Sequence, residues 1–476
     1  MLQYSCYIVR DRKAGPVTTL YEEQRNSVDV LFVGSSHVYH NINTLLLWRE
    51  HGIAAFNIGG RAQPLWASYY YLKEACKYQS PKIVAIDVLS ISGYWKDDYW
   101  QNSTGMQNEL RKNVQDLRGL DNRIGLIESS VPNIEKFSFY FDLFQYHSRV
   151  KSLDKESFVY AAEDAFFKGF SPFTGIKPPP KVTDVSEVED ELELSPKHLE
   201  YIHKLYELSK ENNFSLVFIK APYVFDTSSI LSPQDQKRRY NAMRGLADEY
   251  GIPFLDFNTP EYNCGIDWET DTYDAGAHLN IDGAEKFTDA LGAYLSAHYD
   301  LPDRRGDPAY VSWDEAYEKY LSFVKAEQLK KVTVSSDYFA MLKDPNYLTI
   351  FTSCGTGIDK CADNIQKGFA HLGLTPPAGT GDSYVAILDG TRVDYQETGK
   401  GLLEYASEDL GIRIHAKSAG QRQGEKVPAP QSSVFIDGES LSANKDGLNI
   451  VIFDKRLRKM VDRCWIASKA DNKIVR

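Results

Sequence analysis

Two short stretches, far apart in the chain, carry the residue types that chemistry needs. One is Gly34-Ser35-Ser36-His37, which follows the apolar run at 28–33; the other is Tyr273-Asp274-Ala275-Gly276-Ala277-His278-Leu279-Asn280. A hydroxyl held at a turn and a distant imidazole are the minimum for nucleophilic acyl transfer. The imidazole removes the hydroxyl proton, and the oxygen attacks a carbonyl carbon. A blander role exists for each: serines at such a turn also cap the following helix, and a loop histidine also caps its own. The occurrence of both stretches in one chain favours the catalytic role.

The elements around them must bring the two together. Residues 28–33 read as a buried parallel strand, rich in Val, Leu and Phe, with Asp29 as the interruption. Residues 40–48 read as the helix behind it. A serine between them projects from the C-terminal edge of the sheet, where ligands collect in open α/β folds, near the positive end of the helix. Further strands are predicted at 53–57, 82–90, 214–220 and 252–257. Helices are predicted at 66–78, 195–212, 234–250 and 280–298, with Ser195 and Pro196 as a good helix start. Alternating strands and helices at this spacing predict parallel βαβ units, and five of them a flavodoxin-like three-layer α/β/α domain over 1–300. Within it, 93–181 is dense in aromatics. It reads as a helical insertion over the catalytic edge, either a lid or substrate wall or a subdomain with its own aromatic core. The acidic run at 187–193 reads as a solvated face.

Residues 301–331 read as a charged helical connector. Beyond it, 332–476 is strand-rich, with strands expected at 331–334, 347–351, 383–388, 412–415, 433–436 and 447–453. A helix at 362–372 ends at Gly373. This is an α+β or β-sandwich module.

Composition narrows the field. The chain has 476 residues, 42% hydrophobic and 25% charged, which is too long for one ordinary core and typical of a globular protein. A net charge of −12 argues against nucleic acid as the partner, and 30 tyrosines suit a carbohydrate-facing surface. No stretch approaches the roughly 20 apolar residues that cross a bilayer, and the first residues lack the apolar core of a signal peptide. Six cysteines are too few for a disulfide scaffold; Cys354, Cys361 and Cys464 are buried thiols or include one bridge. No Cys-x-x-Cys or His-Glu-x-x-His is present, so no metal or cofactor is expected.

The order strand, Gly-x-Ser, helix resembles block I of the SGNH (GDSL-like) hydrolase superfamily, and the resemblance implies Ser36 as nucleophile. The turn Asn57-Ile58-Gly59-Gly60-Arg61-Ala62-Gln63-Pro64 corresponds to block II, where a backbone N–H helps form the oxyanion hole. The matching residue is Ala62, with Gly59 and Gln63 beside it, although alanine accepts positive φ less readily than glycine. Block III would place an Asn after the third strand; here Asp87 and Ser90 stand at that depth. Such departures occur in SGNH-like O-acetyltransferases of surface polysaccharides. Block V is Asp-x-x-His. Asp274 and His278 stand one residue further apart, which leaves Asp271 or Asp267 as alternative partners for the ring. His278-Leu279-Asn280 with Gly283 closely resembles the ending of the polysaccharide acetyltransferase-like members. His37 contacts substrate, or else packs or caps in the first helical turn.

The tail resembles the interleukin-like EMT inducer (ILEI) domain, above all in Asp446-Gly447-Leu448-Asn449-Ile450-Val451-Ile452-Phe453-Asp454. That resemblance implies carbohydrate binding or protein interaction. Together the resemblances imply a serine esterase or O-acyltransferase, most simply O-acetyl, acting on a cell-surface or extracellular glycan. They also imply a bacterial surface setting, with an N-terminal anchor not present in this chain; a cytoplasmic location is the alternative. The alternative function is a non-catalytic glycan-binding protein with a degenerate SGNH domain.

Overall fold

The computed structural model describes residues 16–92, 104–132, 135–140, 167–225, 231–356, 363–377, 381–409, 411–421, 431–467 and 473–476. The chain divides into two compact units, up to Tyr317 and from Glu318.

The first unit is built on five parallel strands: β1 (Val30–Gly34), β2 (Ala55–Gly59), β3 (Ile83–Asp87), β4 (Ser215–Lys220) and β5 (Phe254–Asp256), in the order β2-β1-β3-β4-β5. This is the flavodoxin-like order, with the switch point beside β1. Every residue of β1, β2 and β3 is buried, as parallel strands covered by helices on both faces must be. Ser195 caps the helix Pro196–Asn212 by accepting from the His198 N–H. Asn280 caps Ile281–His298 in the same way through Gly283 N–H.

Three expectations are corrected. The predicted single helix at 40–48 is two: α1 (Ser36–Asn41) and α2 (Thr44–His51), because Asn43 accepts from the Leu45 and Leu46 N–H groups and restarts the helix. The insertion at 93–181 is helical only in part. Its described helices are α3 (Thr104–Asp116), α4 (Leu120–Ser130) and α5 (Lys136–Tyr140); 93–103 and 141–166 lie outside the described residues, and 171–181 is irregular. In these helices Leu110, Val114, Leu126, Ile127 and Phe139 belong to the same buried cluster as Leu31, Val84 and Phe218 of the sheet, while the aromatics at 94–100 and 141–146 lie outside the described residues. Finally, no strand forms at 331–334. A helix runs to Lys331, and Val334 makes a single bridge to Lys473.

The second unit is a mixed ten-stranded sheet. Its centre is Tyr347–Gly355, which pairs antiparallel with Gly447–Asp454 and with Ser383–Asp389. The sheet has a core on each face. One gathers Phe351, Phe369, Tyr384 and Ile450; the other gathers Ile350, Val385, Ile414 and Val451. Cys354 and Cys464 are buried free thiols, and Cys361 lies outside the described residues. No described helix is long and apolar enough to cross a membrane.

Candidate active site

The two serines after β1 divide the two roles open to them. Ser35 is the N-cap of α1: its Oγ accepts from the His37 N–H at 3.2 Å. It is also fastened to β3, since its N–H and its hydroxyl both donate to Asp87 Oδ2, at 3.1 and 2.5 Å. Ser36, the first helical residue, is left free to face the other loop. Its Oγ lies 2.7 Å from His278 Nε2. On the far side of the ring, His278 Nδ1 lies 2.7 Å from Asp274 Oδ2, and the His278 N–H donates to Asp274 Oδ1 at 2.6 Å. The carboxylate therefore grips one residue twice, fixing both the backbone and the ring. With Nδ1–H donating to Asp274, the tautomer leaves Nε2 as acceptor for the Ser36 hydroxyl.

The long Asp–His spacing is absorbed by backbone handedness. Ala275 and Gly276 both sit in the left-handed region, at φ +63° and +89°. At Gly276 a Cβ would also stand 2.6 Å from Val224 Cγ2, so glycine is required twice over. The loop is closed at its base. Thr272 bridges Leu279, the Tyr273 N–H donates to the His278 carbonyl at 3.0 Å, and the Gly276 N–H donates to Thr272 Oγ1 at 2.7 Å. Asp271, the alternative partner, is committed elsewhere: Lys286 Nζ at 2.6 Å and the Asp267 N–H at 2.7 Å both donate to it. Asp267 in turn accepts the Glu269 N–H at 3.0 Å. The nucleophile helix is tied to this loop through Asn41, whose Oδ1 accepts the Leu279 N–H at 3.0 Å.

Around the ring stand His37 and two residues that the sequence did not single out, His40 and Phe173. The His40 ring lies 5.4 Å from that of His278, and Phe173, from the irregular end of the insertion, lies 5.7 Å from it. His40 stacks on Phe173 at 3.7 Å and donates Nδ1–H to the Ser171 carbonyl at 2.5 Å. His37 is buried, 5.3 Å from His278 and 5.4 Å from Tyr223, so it packs behind the site. Burial, reinforced by the charge of a protonated His278, lowers both neighbours: His37 falls well below the usual imidazole range and His40 falls to about 3. Both therefore stay neutral at neutral pH.

This has a measurable consequence. An unfolded histidine charges near pH 6.5, whereas folded His40 does not until about 3. Below pH 6.5 the unfolded chain therefore binds the extra proton, and its stabilising share is lost between 6.5 and 3. The melting temperature should drop by several degrees from pH 7 to 4.5. His40→Gln, which keeps a donor for Ser171 and cannot charge, should lose visibly less over that window. Parallel losses in both proteins would refute the assignment.

The remaining predicted residues separate into neighbours of the nucleophile and framework. Ala62 adopts φ +54°, in the left-handed region that glycine accepts more readily. Gly59 pairs with Gly34 at the strand end, and a Cβ there would sit 2.4 Å from the Gly34 carbonyl oxygen, so it is a close-approach glycine. Gln63 is buried and donates to Ser68 Oγ at 3.1 Å. Ser90 is buried in the short helix Leu89–Ser92, with no hydrogen-bond partner among the described residues. Asp87, at the block III depth, is an acceptor for Ser35 and for the Leu89 N–H at 3.1 Å; burial holds its pKa above the usual carboxylate value. It fastens the nucleophile turn. No cluster of three metal-ligating side chains occurs among the described residues.

No protein-family model matches the sequence, and no curated protein does. Solved structures resemble it at low identity. One is an acetyl xylan esterase, 12% identical over 56% of this chain and 98% of that one, with a TM-score of 0.30. Another is a GDSL-like lipase from Bacteroides thetaiotaomicron, 13% identical over 57% and 88%, at 0.28. A third is a mutant acetyl-xylooligosaccharide esterase, Axe2, from Geobacillus, 12% identical over 58% and 97%, at 0.25. At such identities the chemistry has to stand on the side chains of this chain.

Proposed function

We propose that the first unit is a serine esterase of SGNH type that removes or transfers an O-acyl group, most simply acetyl, on a glycan. The observation that carries this is the unbroken relay from Asp274 through His278 to Ser36, with 2.7 Å at each side of the ring. A decayed, purely binding domain has no need of that alignment. His278 Nε2 takes the Ser36 proton as Oγ attacks the acyl carbonyl, and Asp274 steadies the imidazolium that forms. The N–H groups of Ser36 and Ala62 receive the oxyanion; losing one such donor costs roughly 3 kcal/mol. His278 then gives its proton to the departing sugar oxygen, leaving an acyl-Ser36 ester. Water, or a second sugar hydroxyl, attacks that ester with His278 again as base.

The ester and acetyl-carbohydrate activities in the names of the similar structures agree with this reading. In the second unit the ILEI-like stretch at Gly447–Asp454 forms a buried central strand; our reading is that this unit holds the polymer, outside the cell. The test is covalent trapping. A fluorophosphonate should label the protein once, on the peptide carrying Ser36, and abolish its hydrolysis of 4-nitrophenyl acetate. A protein that is neither labelled nor hydrolytic overturns the proposal.

A further inference from the structure

The irregular segment 171–177, at the end of the insertion, is hydrogen-bonded to both halves of the relay, and the acyl-transfer steps give it no task. Just before it, the chain is tied to the framework: the Asn57 N–H of β2 donates to the Lys168 carbonyl at 3.1 Å, and Thr44 Oγ1 of α2 to that of Phe167 at 3.0 Å. The segment next meets the nucleophile helix. The Ser171 N–H donates to the Tyr39 carbonyl at 2.6 Å, and His40 Nδ1–H to the Ser171 carbonyl at 2.5 Å. It then runs onto the loop that carries the base. The Ile281 N–H donates to the Phe173 carbonyl at 2.8 Å, and Asn280 Nδ2 to that of Gly175 at 3.1 Å. Lys177 closes the run with two bonds: its N–H donates to the Thr272 carbonyl at 2.9 Å, and its carbonyl accepts from the Ala275 N–H at 2.8 Å. Ala275 is the residue held at φ +63°, where a non-glycine residue stays only when its surroundings fix it.

One side chain of the segment reaches the base itself. Three rings stand at steep angles to that of His278: His37 at 5.3 Å and 83°, His40 at 5.4 Å and 82°, and Phe173 at 5.7 Å and 73°. The two histidines ride on α1 with the nucleophile, whereas Phe173 comes from the insertion. It is the middle ring of an aromatic column. His40 covers one of its faces, with centroids 3.7 Å apart and planes at 23°, and Tyr273 covers the other at 4.0 Å and 10°. With both faces taken, what Phe173 offers His278 is its edge. Asp274 fixes the ring at Nδ1, but one hydrogen bond tolerates a range of tilts. An edge set against the ring removes that freedom.

We infer that residues 171–177 are a positioning brace for the general base, and that the Phe173 ring sets the plane in which His278 Nε2 meets Ser36 Oγ. This rests on the esterase reading and extends it, because it makes this part of the insertion a frame for the relay. Phe173 is a positioning residue that acts through His278. Its loss therefore belongs in kcat more than in KM. A tilt that displaces Nε2 by about 1 Å costs roughly 10²-fold in rate.

The experiment measures hydrolysis of 4-nitrophenyl acetate by the full chain as wild type, Phe173→Ala, Phe173→Leu, His278→Ala and the double variant Phe173→Leu with His278→Ala. In Phe173→Ala kcat should fall roughly 10- to 100-fold, with KM within about threefold of wild type. Phe173→Leu keeps most of the buried volume, so it carries the test even where the alanine protein fails to fold. It should still lose about tenfold in kcat, because a branched alkyl chain has no flat edge. On the His278→Ala background, Phe173→Leu should change the residual rate by less than about twofold, since no ring is left to position. A purely structural role would lower the residual rate as well. A kcat within about threefold of wild type in Phe173→Leu, or an equal fall with and without His278, overturns the brace and leaves the esterase reading intact. A wild type that is neither hydrolytic nor labelled by the fluorophosphonate instead removes the reading beneath it.

Discussion

Ser36→Ala should lower kcat for 4-nitrophenyl acetate by roughly 10⁴- to 10⁶-fold, with KM nearly unchanged. The expectation follows from how the hydroxyls are distributed at the turn. Ser35 is one residue away, yet it cannot substitute: its Oγ is spent on Asp87 Oδ2 and on the His37 N–H, and it is fully buried. With Ser36 gone, His278 has no nucleophile within hydrogen-bond reach except water. The acyl-enzyme route closes, and only the residual assistance of the oxyanion donors and of binding remains. In serine hydrolases built on such a relay that residue is about 10³–10⁴ over the uncatalysed rate. The substitution removes one oxygen from a half-exposed position and leaves the Ser35 cap in place, so the melting temperature should be preserved. A Ser36→Ala protein that keeps activity within tenfold of wild type would place the chemistry elsewhere.

The fold was legible where burial dictates composition. Parallel strands covered on both faces are mainly apolar, and all five are legible in the sequence as short apolar runs displaced from the observed strands by no more than a few residues, with buried polar exceptions such as Asn57, Asp87 and Asp256. In the tail, Tyr347–Gly355, Ser383–Asp389 and Gly447–Asp454, buried along nearly their whole length, were legible for the same reason. Three features were not, and each fails to show for a physical reason. The break between α1 and α2 is made by one side chain, Asn43, inside a stretch whose apolar spacing continues across it. The fit of Asp274 to His278 depends on left-handed backbone at Ala275 as well as Gly276, and an alanine gives no notice of positive φ. The aromatic column joins residues 133 and 100 positions apart through Phe173, which lies in an irregular segment with no periodicity to read. Asp87 shows the opposite case. Its position at the block III depth was visible, but its role as an acceptor that pins Ser35 became clear only from the donors around it.

Asp274→Asn should reduce kcat by about 10³- to 10⁴-fold near neutral pH, while Asp271→Asn, three residues earlier, should leave kcat within a few-fold. The contrast comes from what each carboxylate holds. Asp274 Oδ2 accepts from His278 Nδ1 and so keeps the proton on that nitrogen. An asparagine there can turn its NH₂ toward the ring while its carbonyl keeps the His278 N–H. Nδ1 must then accept, the proton moves to Nε2, and the ring presents Ser36 with a donor where it needs an acceptor. The geometry survives and the tautomer is wrong, a fault that costs serine hydrolases about four orders of magnitude. Asp271 instead anchors Lys286 and the Asp267 N–H. Neutralising it weakens the base of the loop and should show in the melting temperature before it shows in turnover. Measuring both variants with 4-nitrophenyl acetate and by thermal melts separates the two roles. If Asp271→Asn carries the large kcat loss and Asp274→Asn does not, the ring is oriented by the other carboxylate during turnover, and the loop must rearrange around Gly276 to allow it.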